Sequence, residues 1–172
     1  LGGSCGFLRA AETIAEPLFA RAVVMEHDGR KMCIVTADLQ IIVGAYHEQI
    51  RQAAQVHCGI APAAVMVHLT QSHSAPPLGN FIIDDAFDGI PPEHEYLRGS
   101  QSAYCEFAAK KIIDAIVLAD SRLQPVQVAA GRAVRDDLAF NRRGVSRDGS
   151  VVMPWLYTSE QQPLGPTHIC YM

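Results

Sequence analysis

The sequence predicts an α/β or α+β domain with a mixed β-sheet and flanking helices, in the order ββαβ–loop–αββ. Three observations carry that class. Two β-rich runs, Ala20 to Met25 and Lys31 to Ala37, flank a turn containing Asp28-Gly29. Two stretches, 45–57 and 93–121, repeat apolar residues at helical spacing. Between them lies a short apolar run, Val65 to Leu69, of strand length.

Each element has its own local reason. The His27-Asp28-Gly29-Arg30 turn makes the first two runs a hairpin, and Asp38 is placed to cap the next segment. Residues 45–57, AYHEQIRQAAQVH, put Ile50, Ala53, Ala54 and His57 on one helical face, and Gly59 ends the helix. Residues 76–92, PPLGNFIIDDAFDGIPP, form a long loop, a length that suits a lid or a binding loop. Its Phe81, Ile82, Ile83 and Phe87 suit packing over a site or a partner. The helix over 93–121 aligns Tyr104, Phe107, Ala108, Ile112, Ala115, Ile116 and Ala119. Val126 to Val134 reads as a strand, and LAFNRRGVSRDGSVVMPW as a second hairpin turning at Asp148-Gly149.

Composition removes several function classes. The 172 residues are 49% hydrophobic and 19% charged, which suits one globular domain. A net charge of -4 argues against nucleic acid as a partner. No apolar stretch reaches the roughly 18–20 residues that cross a bilayer. The five cysteines, Cys5, Cys33, Cys58, Cys105 and Cys170, contain no C-x-x-C pair, so they make neither a zinc ribbon nor a disulfide framework. Cys33 and Cys105 read as small core hydrophobes. The chain begins LGGSCGFL and finishes LGPTHICYM, and is read as a fragment cut at both ends. Phosphate loops, the G-x-S-x-G elbow and H-E-x-x-H are missing, and none of these gaps excludes a site assembled from distant segments.

Three groups of residues are candidates for chemistry. In LTQSHSAPP, Gln71 and His73 share a face if the strand runs on, while His68 falls on the other face and hydrogen-bonds within the fold. Gln71 is a poor zinc ligand by its chemistry, and His73 reads either as a functional imidazole or as a satisfied turn histidine. Arg142 and Arg143 come directly after Asn141, and an arginine fork suits a carboxylate, a phosphate or a polarised carbonyl; the competing reading is a solvated hairpin pair. Asp84, Asp85 and Asp88 lack the spacing of a calcium loop and read as a solvated acidic loop.

Four segments carry a resemblance across nearly the whole chain: AEPLFARAVVMEHDGRKMCIVTADLQ, GIAPAAVMVHLTQSHSAPP, AAKKIIDAIVLADSRLQPVQVAAGRA and LAFNRRGVSRDGSVVMPW. In their order, their histidine turn and their N-R-R segment they resemble the N-terminal region of the neutral/alkaline non-lysosomal ceramidase family, especially its short bacterial relatives. The resemblance implies a truncated amidohydrolase catalytic domain that uses zinc to cleave the linear amide of ceramide or a related N-acyl lipid. It implies a lipid or other small-molecule substrate, a role in sphingolipid metabolism, room for peripheral contact with membrane lipids, and a secreted or periplasmic location.

By position, the family's substrate-contacting histidine falls on His73 and its arginine on Arg142, with Arg143 as the neighbouring alternative. The family's first zinc-binding histidine falls on Gln71, and the remaining ligands come from later in the chain. In the implied chemistry zinc activates a water that attacks the amide, while His73 and Arg142 stabilise the charge developing on the carbonyl oxygen. Gln71 leaves three outcomes open: weak coordination through its amide oxygen, a rearranged site, or loss of catalysis. The alternative function is therefore a non-catalytic relative that binds a lipid or a glycan.

Overall fold

The computed structural model describes residues 13–135, 143–152, 161–163 and 169–171. They fall into two compact units divided between Gln124 and Pro125. The first unit holds a mixed three-stranded sheet with helices, in agreement with the α/β or α+β class.

β1 (Ala20–His27) and β2 (Arg30–Ala37) pair antiparallel in register from Ala20–Ala37 to His27–Arg30. Asp28 and Gly29 both take positive φ, 48° and 71°, the geometry whose twist matches the flanking strands. α1 (Gly44–Cys58) then carries the chain back, and β3 (Val65–Leu69) pairs parallel to β2, with Cys33 opposite Val65 and Ala37 opposite Leu69. Gly59 ends α1 in the left-handed conformation, its N–H donating to the Gln55 carbonyl at 3.0 Å. Asp38 caps no helix: α1 begins at Gly44, and no side chain bonds its first turn.

The alternation of the strands decides where the core lies. Val24, Cys33, Val35, Ala37 and Val65 are buried, whereas Val23, Met25, Met32 and Met66 are exposed on the opposite face. Helix α1 contributes Ile50, Ala54 and Cys58 to the core. His57, expected on the same face, is exposed, because a step of one residue from Cys58 turns it away from the sheet. α2 (Ser102–Asp120) contributes Cys105, Ala108, Ala109, Ile112 and Ile116. Full burial of each large aliphatic side chain stabilises the unit by roughly 1.5–3 kcal/mol. Lys31 closes the far end of this layer: its Nζ donates to Asp120 Oδ1 at 2.7 Å and to the Cys58 carbonyl at 3.2 Å.

Two expected elements differ. The helix over 93–121 is split into a 3₁₀ turn, Pro92–Arg98, and α2, because Gly99 between them takes φ 106°. The expected strand Val126 to Val134 reduces to β4 (Ala133–Arg135), which pairs antiparallel with β8 (Ile169–Tyr171). Residues 125–132 are exposed without regular structure; their alternating pattern does not make a strand without a backbone partner. The second unit also holds β5 (Gly144–Ser146), β6 (Val151–Val152) and β7 (Gln161–Pro163), in the order β6-β5-β7. The β5–β6 hairpin turns at Asp148-Gly149 as expected, with Gly149 at φ 84° and Asp148 Oδ1 accepting from Ser150 N at 3.0 Å.

Candidate functional site

The parallel pair β2–β3 ends in an interruption. Thr70 N still donates to the Ala37 carbonyl at 3.1 Å, but Gln71 takes φ 55° and turns the chain out of the strand. Within the turn, Ser74 N donates to Ser72 Oγ at 3.4 Å, and Ala75 N donates to the Ser72 carbonyl at 3.3 Å. Pairing then resumes: Gln40 N donates to the Pro76 carbonyl at 3.2 Å, Leu78 N to the Ile41 carbonyl at 2.7 Å, and Val43 N to the Leu78 carbonyl at 3.0 Å. The register spacing between the two chains widens by four residues from the Ala37–Leu69 pair to the Ile42–Leu78 bridge. The excursion that absorbs the difference is the QSHS turn.

Beside this turn, at the carboxyl end of β2, lies a groove of about 1010 Å³. A crevice at the carboxyl ends of parallel strands is where open α/β sheets bind ligands. One wall is the segment Thr13–Phe19, another is the face of α2 bearing Tyr104, Phe107 and Lys111, and the turn supplies Ser72, Ser74 and Pro76. Asp38 stands at the end of β2 and pins the first wall to the sheet. Its Oδ2 accepts from Phe19 N at 3.0 Å and from Arg21 Nη1 at 3.3 Å, while its own N–H donates to the Phe19 carbonyl at 2.9 Å. The Arg21 guanidinium also stacks 4.5 Å over the Phe19 ring.

The lining is mostly apolar, with its charges balanced. Asp38 is paired with Arg21, and the other ionised lining residues, Glu16 and Lys111, have opposite signs. Lys111 Nζ lies 5.7 Å over the Phe107 ring. Tyr104 lines the groove, and burial pushes its hydroxyl upward in pKa, with the Cys105 thiol adding to it, so this hydroxyl stays a neutral donor and acceptor.

The candidate residues of the histidine turn fall differently from their expected placement. Gln71 and His73 are both exposed, and the two serines beside His73 line the groove instead. The shared-face argument for Gln71 and His73 requires a continuing strand, and the left-handed backbone at Gln71 ends it. His68 stands on the outer face of the sheet opposite Thr36; it is exposed, and among the described residues its side chain makes no hydrogen bond. Arg142 lies outside the described residues, and Arg143 is exposed at the head of β5 in the second unit.

The turn does not fit a zinc ion. It offers an amide at Gln71 and an exposed imidazole at His73, and among the described residues no three His, Cys, Asp or Glu side chains gather closely enough to hold a metal. Asp84 and Asp85 instead hold their own loop: Asp84 Oδ1 accepts from Ala86 N at 2.8 Å, and Asp85 Oδ1 from Asn80 Nδ2 at 2.7 Å. The loop 78–90 contributes nothing to the groove lining, so it is no cover for this groove.

The groove walls escaped sequence reasoning because segment 13–19 has no regular period and Phe107 reads as part of the α2 core stripe. The usable signal was the i, i+3, i+7 set Tyr104, Phe107 and Lys111, two aromatics leading to a cation on one helix face. Cys33, Cys58 and Cys105 are buried reduced thiols; the core reading thus holds for Cys33 and Cys105. No family model, curated protein or solved structure matches this chain.

Proposed function

We propose that this chain belongs to a hydrolase of linear N-acyl amides, of the ceramidase-like class, with the groove receiving the acyl chain. The observation that carries the reading is the apolar, charge-balanced groove at the carboxyl end of β2, edged by the serines that flank His73. An apolar wall favours a hydrocarbon chain, and balanced charge favours an uncharged polar head such as an amide over a free acid or amine. Ser72, Ser74 and Tyr104 supply hydroxyls to orient that amide. The resemblance gives His73 the role of a donor to the carbonyl oxygen as it gains charge. The zinc of that resemblance would need ligands beyond the described residues, since Gln71 stands where the first of them is expected.

The test is fatty-acid release from N-palmitoyl and N-acetyl amides of the same amine by the intact protein, with and without Phe107→Asp. A charge on the groove wall raises KM for the long-chain amide by about tenfold or more and leaves the short-chain amide unchanged. Absence of hydrolysis, or equal effects on both substrates, removes the reading.

A second reading, a non-catalytic binder of a lipid or glycan, is favoured by Gln71 alone. It predicts long-chain amide binding without hydrolysis. It also predicts zinc, measured by elemental analysis, in a Gln71→His variant and not in the natural protein.

A further inference from the structure

The loop that leaves the groove uncovered has another property. Three large apolar side chains stand in solvent on it: Phe81 at 38% exposure, Ile82 at 47% and Phe87 at 53%. They are held in place by the loop's own bonds. Arg98 donates from Nη1 to the Asp84 carbonyl and from Nη2 to the Phe87 carbonyl, both at 2.5 Å, while its carbonyl accepts from Phe81 N at 3.2 Å and Ile82 N at 3.1 Å. Ser100, buried beneath, donates to Asn80 Oδ1, and Asn80 holds Asp85. Two glycines admit the rings: a Cβ at Gly99 would lie 3.2 Å from both Ile82 and Phe81, and one at Gly89 would lie 2.6 Å from Phe87. The apolar groups are therefore ordered before any partner arrives, which lowers the entropy cost of binding.

Charge selects among occupants. Asp84, Asp85, Asp88, Glu93 and Glu95 are all exposed on the same segment, and its arginine, Arg98, is occupied with loop carbonyls. An anionic membrane surface is repelled by such a rim, and a second copy of a chain of net charge -4 brings the same acids against them. We propose that the 81–98 loop is a docking surface for a basic protein segment that carries apolar side chains, with Phe81, Ile82 and Phe87 as anchors and the five carboxylates as the complementary rim. This surface is separate from the groove, and the proposal stands whether or not the chain cleaves amides.

The test uses the full chain and three synthetic helical peptides of equal length: one of Leu and Lys, one of Leu and Glu, and one of Ser and Lys. The Leu/Lys peptide is expected to bind in fluorescence anisotropy at least about tenfold more tightly than either of the others. Phe81→Ser/Phe87→Ser and, separately, Asp88→Asn/Glu93→Gln/Glu95→Gln each weaken it about tenfold, and Phe107→Asp in the groove leaves it unchanged. Circular dichroism melts establish that the variants fold. Absence of Leu/Lys binding, binding indifferent to both loop variants, or co-sedimentation with phosphatidylserine vesicles that depends on Phe81 and Phe87 overturns the proposal.

Discussion

At Gln71 a side chain with a Cβ is held at φ 55°, a conformation that costs an L-residue roughly 1–2 kcal/mol. Gln71→Gly removes that cost and adds unfolded-state entropy, so its stability is expected to match or exceed that of the natural protein. Gln71→Val, β-branched at the same backbone, is expected to fall below the glycine variant by about 1–2 kcal/mol. Equal urea midpoints for the two variants would show that the turn relaxes. The strain sits in the segment that carries Ser72, His73 and Ser74, beside the groove that Ser72 and Ser74 line. On the amide-hydrolase reading His73→Ala lowers kcat by about 10²–10³ and KM little, as loss of one oxyanion donor does. Unchanged kinetics would remove His73 from the mechanism.

Among the elements, α2 has two duties on different faces. Its buried face, with Ile112 and Ile116 against the sheet, holds the unit together; Ile116→Ala is expected to cost about 2–5 kcal/mol in denaturant unfolding. Its groove face carries Phe107 and Lys111; on the amide-hydrolase reading, changes there alter ligand binding before they alter stability. The strap from Pro76 to Gly79 is the second critical element. Gly79 takes φ 103°, donates to Cys105 Sγ at 3.3 Å, and has no room for a Cβ, which would overlap Val43 Cγ2. Gly79→Ala is expected to destabilise by about 2–4 kcal/mol from overpacking and backbone strain together. A melt unchanged within error would mean that Val43 and the strap shift without penalty.

Across the first unit as a whole, the groups beneath the sheet make stability fall at alkaline pH. Burial, with Cys58 and Asp120 adding to it, pushes the Cys33 thiol up to about 11 from 9.0, and burial also raises Cys58. Between those values the unfolded chain has released the Cys33 proton and the folded chain has not, so the unfolded state binds fewer protons and stability declines as pH rises. Lys31 is raised chiefly by its hydrogen bond to Asp120; its contribution is present below 10.5 and is lost as pH climbs through the folded value. All three groups act in the same direction. The Tm should fall steadily above about pH 9, and Cys33→Ala should flatten that slope by about 2–3 kcal/mol between pH 9 and 11. Parallel slopes in the two proteins would assign the alkaline loss elsewhere.

The sequence by itself determined the elements whose causes are local. Asp28-Gly29 dictates the first hairpin, Gly59 the end of α1, and Asp148-Gly149 the second hairpin, because a left-handed backbone favours those residue types. The run Val65–Leu69 was legible as a strand for the same kind of reason. Tertiary structure decided what depends on a neighbour distant in sequence. Val126 to Val134 has the strand pattern, yet only Ala133–Arg135 gains a partner, in β8, so only those residues pair. Phe107 has the period of a core residue, but the packed stripe of α2 runs through Cys105, Ala109 and Ile112, which leaves Phe107 for the groove. At the histidine turn the residue types were plain, while their facing was set by a four-residue slip between two chain segments far apart in sequence. Backbone preference is written residue by residue; burial, and with it the choice of which side chain meets a ligand, is a property of the assembled layers.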